Sequence, residues 1–261
     1  MSEKLRPITI AVAGKGGTGK TTICGMLVDY LAAAGKGPLL VVDADPNANL
    51  NEVLGIELPL SLGEIRENIA RADMMDPSPI PLGMSKQAYA EFMFESALYE
   101  SADYDMLVMG RTQGKGCYCY VNGVLKTQLE KYESSYRYII VDNEAGLEHI
   151  SRGTLPGVDI MLLVSDCSRR GVQAAGRVKQ MVDELQLKPD TMKLIVNRAP
   201  GGQLDQGVSD EIAAQGLSLL GVLPQDNTVY EYDCEGKPSA KVPHDSPIKQ
   251  ALGALIGAMG L

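Results

Sequence analysis

Nine residues, Gly14-Lys15-Gly16-Gly17-Thr18-Gly19-Lys20-Thr21-Thr22, constrain this chain more than any other stretch. The apolar run Ile8 to Ala13 before them reads as a buried strand, and Lys20 to Ala34 after them as a helix, so the glycines occupy a strand-to-helix turn. Glycine lets a backbone curl until successive N–H groups converge, and the helix N-terminus adds partial positive charge at the same point. Such a turn is an anion cradle, the arrangement of a phosphate-binding loop. Gly14, Gly16, Gly17, Thr18 and Gly19 shape the cradle; Lys20 is placed to reach the terminal phosphates, the Thr21 hydroxyl to ligate Mg2+, and Thr22 to hold a phosphate oxygen. Lys15 is not required by the basic pattern. It is either a solvated surface lysine or it neutralises a separate phosphate, and we favour the second.

Further short apolar strands are readable at Leu39 to Val42, Asp105 to Met109, Arg137 to Val141, Ile160 to Val164, Lys193 to Val196 and Leu219 to Leu223, with helical patterns between most of them. That alternation predicts an α/β fold, a mainly parallel twisted sheet with helices on both faces, in a single domain over 1–261. The stretch 55–102, with Pro77, Pro79, Pro81 and scattered methionines, reads as an insertion with partial helices, clearest at Ala88 to Leu98. The chain closes on an apolar helical face, Ile248, Ala251, Leu252, Leu255, Ile256 and Met259, predicting a docking helix over 247–259 whose other face carries Lys249 alone among charges.

Ligands of parallel sheets bind at the carboxyl ends of the strands. The phosphate loop, the Asp43 to Asn47 segment and the residues after Val141 and after Val196 all fall there. In Asp43-Ala44-Asp45-Pro46-Asn47, Asp45 is the candidate to orient or deprotonate a water, with Asp43 nearer the strand. Asp142, after Tyr138-Ile139-Ile140-Val141, has the position of an acid that holds the Mg2+ shell; Asp45 is a second Mg2+ candidate, and Gly146 could sense a terminal phosphate. Asn197-Arg198 and Pro224-Gln225-Asp226 follow two later strands, where an amide can pair with the donor-acceptor edge of adenine.

A net charge of -9, no Trp and only two Phe oppose nucleic acid as a partner, since little basic or stacking surface is available. No apolar stretch reaches a membrane span, and a charged N-terminus leads directly into the first strand, so a cytoplasmic protein without a membrane role is expected. His149 and His244 are too few for histidine-based catalysis and read as structural or surface residues. Five cysteines make no disulfide framework. Two of them form Gly116-Cys117-Tyr118-Cys119 ahead of a helical run from about Val121 to Tyr132, where thiols ionise readily. A soft-metal site usually takes four ligands, so the pair awaits other residues or a second copy of the chain; packing or a redox pair are the alternatives.

The loop with its additional lysine resembles the deviant Walker A of the MinD, ParA and nitrogenase-iron-protein class of dimeric ATPases, and the likeness extends to Asp43-Ala44-Asp45-Pro46 and Asp142. Gly116-Cys117-Tyr118-Cys119 and Asp142-Asn143-Glu144-Ala145-Gly146-Leu147-Glu148-His149 are similar to the CooC type, ATPases that mature nickel enzymes, chiefly carbon monoxide dehydrogenase and, in close relatives, acetyl-CoA synthase. The resemblance implies an ATP-hydrolysing homodimer in which Lys15 crosses to the partner's ATP and acts in catalysis with Lys20 and Asp45. It implies Ni2+ or Zn2+ on Cys117 and Cys119 at the subunit interface, and a nickel-containing client enzyme. A positioning ATPase and an iron-sulfur ATPase are the rivals; the second is disfavoured because the nitrogenase-type proteins place cluster cysteines on two separate loops.

Overall fold

The computed structural model describes residues 6–45, 47–57, 60–72, 77–110, 127, 135–143 and 157–261. Among the described residues seven strands, β1 (Ile8–Gly14), β2 (Leu39–Asp43), β3 (Asp105–Val108), β4 (Tyr138–Asp142), β5 (Ile160–Asp166), β6 (Thr191–Ala199) and β7 (Leu219–Pro224), form one sheet in the order β3-β2-β4-β1-β5-β6-β7. Every pairing between them is parallel.

Alternate residues of each strand point to opposite faces, and each face has its own apolar layer. On one, Val42, Val141, Leu163 and Val196 meet helices α3 (Leu62–Arg71), α4 (Lys86–Ser96), α5 (Arg169–Glu184) and α6 (Gln206–Ala214) through Ile65, Phe94, Val178 and Ile212. On the other, Val12, Val41, Ile140 and Ile195 pack on α1 (Lys20–Ala33), α2 (Leu50–Leu54) and α8 (Pro247–Ala258) through Leu27, Leu50 and Leu252. A further helix, α7 (Asn227–Cys234), follows β7. Within the 55–102 stretch, α3 and α4 belong to the layer that covers the sheet; α3 starts at a reciprocal capping box between Ser61 and Glu64.

Helix α1 is buried almost all round, because α2, a short 3-10 turn (Ser239–Lys241) and α8 cover its outer side. Close approach needs glycine at two places. A Cβ at Gly25 would lie 2.5 Å from Val53 Cγ1 and 3.2 Å from Ala240 Cβ, and one at Gly253 would lie 3.1 Å from Tyr30 Cε2. Lys249, the one charge on the helix face opposite the apolar stripe, is itself packed against the domain. Its side chain is 8% exposed and its ammonium donates to Asp29 Oδ2 at 2.7 Å, because α8 lies flat on α1 with its first turn over that carboxylate.

Candidate functional site

The loop between β1 and α1 lies beside the point where the chain leaves β4 on one side of β1 and returns as β5 on the other, the crevice in which parallel sheets bind ligands. Gly14, Gly17 and Gly19 have φ of 154°, 80° and 89°, the left-handed half of backbone space that the curl requires. Two of them also have no room for a side chain: a Cβ at Gly14 would lie 2.2 Å from the Val164 carbonyl oxygen, and one at Gly19 2.4 Å from Asn197 Nδ2. Lys15, Gly16 and Gly17 are exposed at the tip, Thr18 and Lys20 are buried, and Thr21 and Thr22 are intermediate.

The loop's carbonyls are occupied from behind. The Thr18 hydroxyl donates to Lys15 O at 2.8 Å, Asn197 Nδ2 to Thr18 O at 2.9 Å, and Arg198 Nη1 to Gly17 O at 3.1 Å. Holding the oxygens this way fixes the loop's backbone before any ligand arrives. Asn197 Oδ1 accepts the Arg198 N–H, and Arg198 itself has φ of 58°, a left-handed turn that aims its guanidinium back at the loop. Asn197 and Arg198, read from sequence as adenine contacts, are thus braces of the phosphate loop in addition to lining the cleft beside it.

Asp43 and Asp142 are directly paired in register at the ends of β2 and β4 and project to the α1 face, as their alternation with Val41 and Ile140 requires. Asp43 is fully buried and works on the backbone: Oδ1 accepts the Asp45 N–H and Oδ2 the Leu50 N–H, each at 3.0 Å. It thereby sets the course of the segment carrying Asp45, whose own Oδ1 accepts the Asn47 N–H at 2.9 Å. Asp142 is different. It is 1% exposed, and neither carboxylate oxygen has a hydrogen bond of full geometry, the Thr21 hydroxyl facing it without completing one. A buried carboxylate left in this state is costly unless a cation meets it. Asn143, which sequence reading passed over, anchors the strand end: its side-chain amide donates to Val12 O and Val141 O, both at 3.3 Å.

Burial pushes the Asp142 carboxyl up to about 7; Asp43 and Asp45 add to the rise, while the Thr21 hydroxyl and Lys20 oppose it. Burial likewise lifts Asp43 to about 6 against the two backbone N–H bonds it accepts. The donor set of carboxylate oxygens and a threonine hydroxyl, with orphaned acceptors at Asp142, fits Mg2+, a hard cation that takes oxygen ligands. Both acids keep their protons to higher pH folded than unfolded, so their contribution to metal-free stability declines as pH rises from about 4 through 6 and 7. A cation displaces those protons. Magnesium-nucleotide affinity should therefore climb with pH up to about 7 and then level, with protons released at pH 6. Calorimetry at pH 6 in buffers of differing ionisation enthalpy checks this; a binding heat independent of buffer would refute it.

Beyond Gly19 and Thr22 opens a cleft of about 650 Å3 between the ends of β6 and β7 and helix α7, lined by Asn197, Arg198, Pro224, Asp226, Tyr230 and Ser239 among others. Pro224 and Asp226 lie on this lining. Asp226, however, uses both oxygens structurally, Oδ1 accepting the Thr228 N–H at 2.9 Å and Oδ2 the Ile248 N–H at 3.2 Å, so it caps α7 and ties it to α8. Tyr230, 70% exposed on the cleft wall, was not singled out from the sequence. Gly146, Cys117 and Cys119 lie outside the described residues.

Comparison with known proteins decides the family. The model of the CobQ/CobB/MinD/ParA nucleotide-binding domain matches residues 9–239. The chain belongs to the CobQ/CobB/MinD/ParA family. An ATP-binding protein of Methanocaldococcus jannaschii is 37% identical over 92% of this chain and 93% of its own length. The carbon monoxide dehydrogenase accessory protein CooC of Rhodospirillum rubrum is 30% identical over 87% of both. Among solved structures, the MinD cell division protein of Aquifex aeolicus superimposes with a TM-score of 0.68 over 97% of both chains at 20% identity, which shows the shared fold. As a CobQ/CobB/MinD/ParA protein this chain is a P-loop ATPase, for which nucleotide and Mg2+ are the expected ligands. Among the described residues no helix is long and apolar enough to cross a membrane.

Proposed function

We propose that the protein is a dimeric, ATP-hydrolysing metallochaperone that carries Ni2+ or Zn2+ on Cys117 and Cys119 and assists nickel insertion into carbon monoxide dehydrogenase or the related acetyl-CoA synthase. The observation that carries the reading is the conjunction of the additional loop lysine, Lys15, with a Cys-x-Cys pair in a chain 30% identical to a carbon monoxide dehydrogenase accessory protein. Two thiolates from each of two copies would complete a four-sulfur site, and four thiolates accept either metal.

In hydrolysis the loop N–H groups and Lys20 would hold the terminal phosphates, Thr21 and Asp142, with Asp45 as a further candidate, would hold Mg2+, and Asp45 would orient the attacking water; Mg2+ held there would supply charge neutralisation at the phosphate oxygens. Asp43 keeps the Asp45 segment in place through the two N–H bonds it accepts. Lys15, exposed at the loop tip, is free to reach the nucleotide of a second subunit.

Changing Cys117 and Cys119 together to alanine should abolish stoichiometric nickel binding and leave ADP binding within about twofold, since the phosphate loop is built from other residues. Equilibrium dialysis with metal analysis, beside nucleotide titration, reads both; nickel binding at full affinity in the double variant would sink the proposal. A second reading, a positioning ATPase, is favoured by the septum site-determining protein MinD of Bacillus subtilis, 26% identical over 90% of this chain. Cosedimentation with lipid vesicles or DNA, together with absence of metal binding, would select it.

A further inference from the structure

The loop side of the site explains how phosphates are held. It leaves open what positions the far wall of the cleft, whose residues Ser239 and Ile248 come from elements more than 200 positions away from the loop in sequence (Thr18 to Ser239). Both lie within two residues of a lysine. Ser239 opens the 3-10 turn that ends at Lys241, and Ile248 precedes Lys249 in the first turn of α8. The two ammonium groups converge on one carboxylate, Asp29 of α1: Lys241 Nζ donates to Oδ1 and Lys249 Nζ to Oδ2, each at 2.7 Å. Asp29 is 8% exposed; burial pushes its carboxyl up, but the two ammonium hydrogen bonds prevail and keep it below the usual range. The pair of lysines is unequal, the Lys249 side chain being 8% exposed and that of Lys241 48%.

We propose that Asp29, clamped by Lys241 and Lys249, is a positioning residue that holds the nucleoside wall of the cleft in register with the phosphate loop. Asp29 sits on the same rigid helix whose first residue is Lys20, so the clamp sets the distance between the phosphate end and the Ser239–Ile248 end of one ligand. Ile248 extends the network, since its N–H donates to Asp226 Oδ2 and so links α8 to the cap of α7, which carries Tyr230. Glycines at 25 and 253 allow the 3-10 turn and α8 to approach α1 closely enough for the salt bridges to form.

The inference rests on the cleft being where the nucleoside lies, and the test separates the two. Magnesium-ATP and magnesium-triphosphate are titrated against the wild-type protein and against Lys241→Met, which removes only the more exposed arm and keeps Lys249 paired; Asp29→Asn is the stronger variant. Wild type should bind ATP more tightly than triphosphate; equal affinities would overturn the cleft reading, and this inference with it. Lys241→Met should raise KM and Kd for ATP about five- to tenfold, leave triphosphate affinity and kcat at saturation unchanged, and recover in Lys241→Arg. If ATP keeps its full advantage over triphosphate in both Lys241→Met and Asp29→Asn while only the melting temperature falls, the clamp is structural and the inference is wrong.

Discussion

Replacing Asp142 with asparagine is expected to lower ATP hydrolysis at least about 100-fold and, at pH 8, to raise the melting temperature of the magnesium-free protein. The two effects have one cause. Asp142 is 1% exposed with both oxygens lacking a full hydrogen bond, and its carboxyl is pushed up to about 7, chiefly by burial, with Asp43 and Asp45 adding to the rise. At pH 8 the folded protein therefore holds an unpartnered buried charge that the unfolded chain would give to water. Asparagine removes the charge at nearly constant shape, and a gain of about 1 kcal/mol corresponds to roughly 2–4 °C in a chain of this size. With Asp142 in the Mg2+-holding role proposed for it, its loss removes several kcal/mol of charge stabilisation, hence the fall in rate. The stability gain should vanish at about pH 4, where the wild-type carboxyl is protonated as well. A melting temperature lowered at pH 8 would show that Asp142 is satisfied without a cation.

Lys15→Ala should cost about 100-fold or more in kcat while ADP affinity changes little, and mixing it with Asp142→Asn should restore hydrolysis. The logic is that of a cationic residue supplied in trans to phosphoryl transfer, an effect of about 1,000-fold or more where such groups are known. A Lys15→Ala subunit retains its own Lys20, Thr21 and Asp142; an Asp142→Asn subunit retains Lys15. In a two-fold symmetric pairing, random mixing makes about half the dimers heterodimers, each with one complete site, so activity should return to about a quarter of wild type. Steady-state phosphate release over a mixing series reads this. Activity that stays at the level of the separate variants would place Lys15 in its own subunit's site and remove the crossing role.

Much of this site is legible in sequence because its signals are local. The loop spells its own geometry, and the acids that end β2 and β4 follow apolar runs whose strand character is plain. The capping box that starts α3, between Ser61 and Glu64, was missed within a stretch read as an insertion. What escapes is long-range or conformational. Asn197 and Arg198 reach loop carbonyls 179 and 181 positions away, and nothing in the letters Asn-Arg signals that Arg198 takes a left-handed φ of 58°. Asp29 looks like an ordinary polar position of α1, and Lys249 like the one charge opposite the apolar face of α8, until packing joins them across 220 positions. Asp226 reads as a ligand contact by its place at a strand end, yet the helix N-termini on either side claim both its oxygens.

The enclosure of α1 bears on how a nucleotide signal can travel. A helix held between the sheet, α2, the 3-10 turn and α8, with glycines where neighbours press closest, has no space to slide or rotate, and packed interiors do not deform continuously. A piston stroke of α1 is therefore not the expected route for a hydrolysis signal; the expected carrier is the segment that follows β2, whose final residue is Asp43. Amide hydrogens of α1 should accordingly exchange among the slowest in the molecule and at the same rate with ADP or ATP, the difference between the two states falling on residues 44–49.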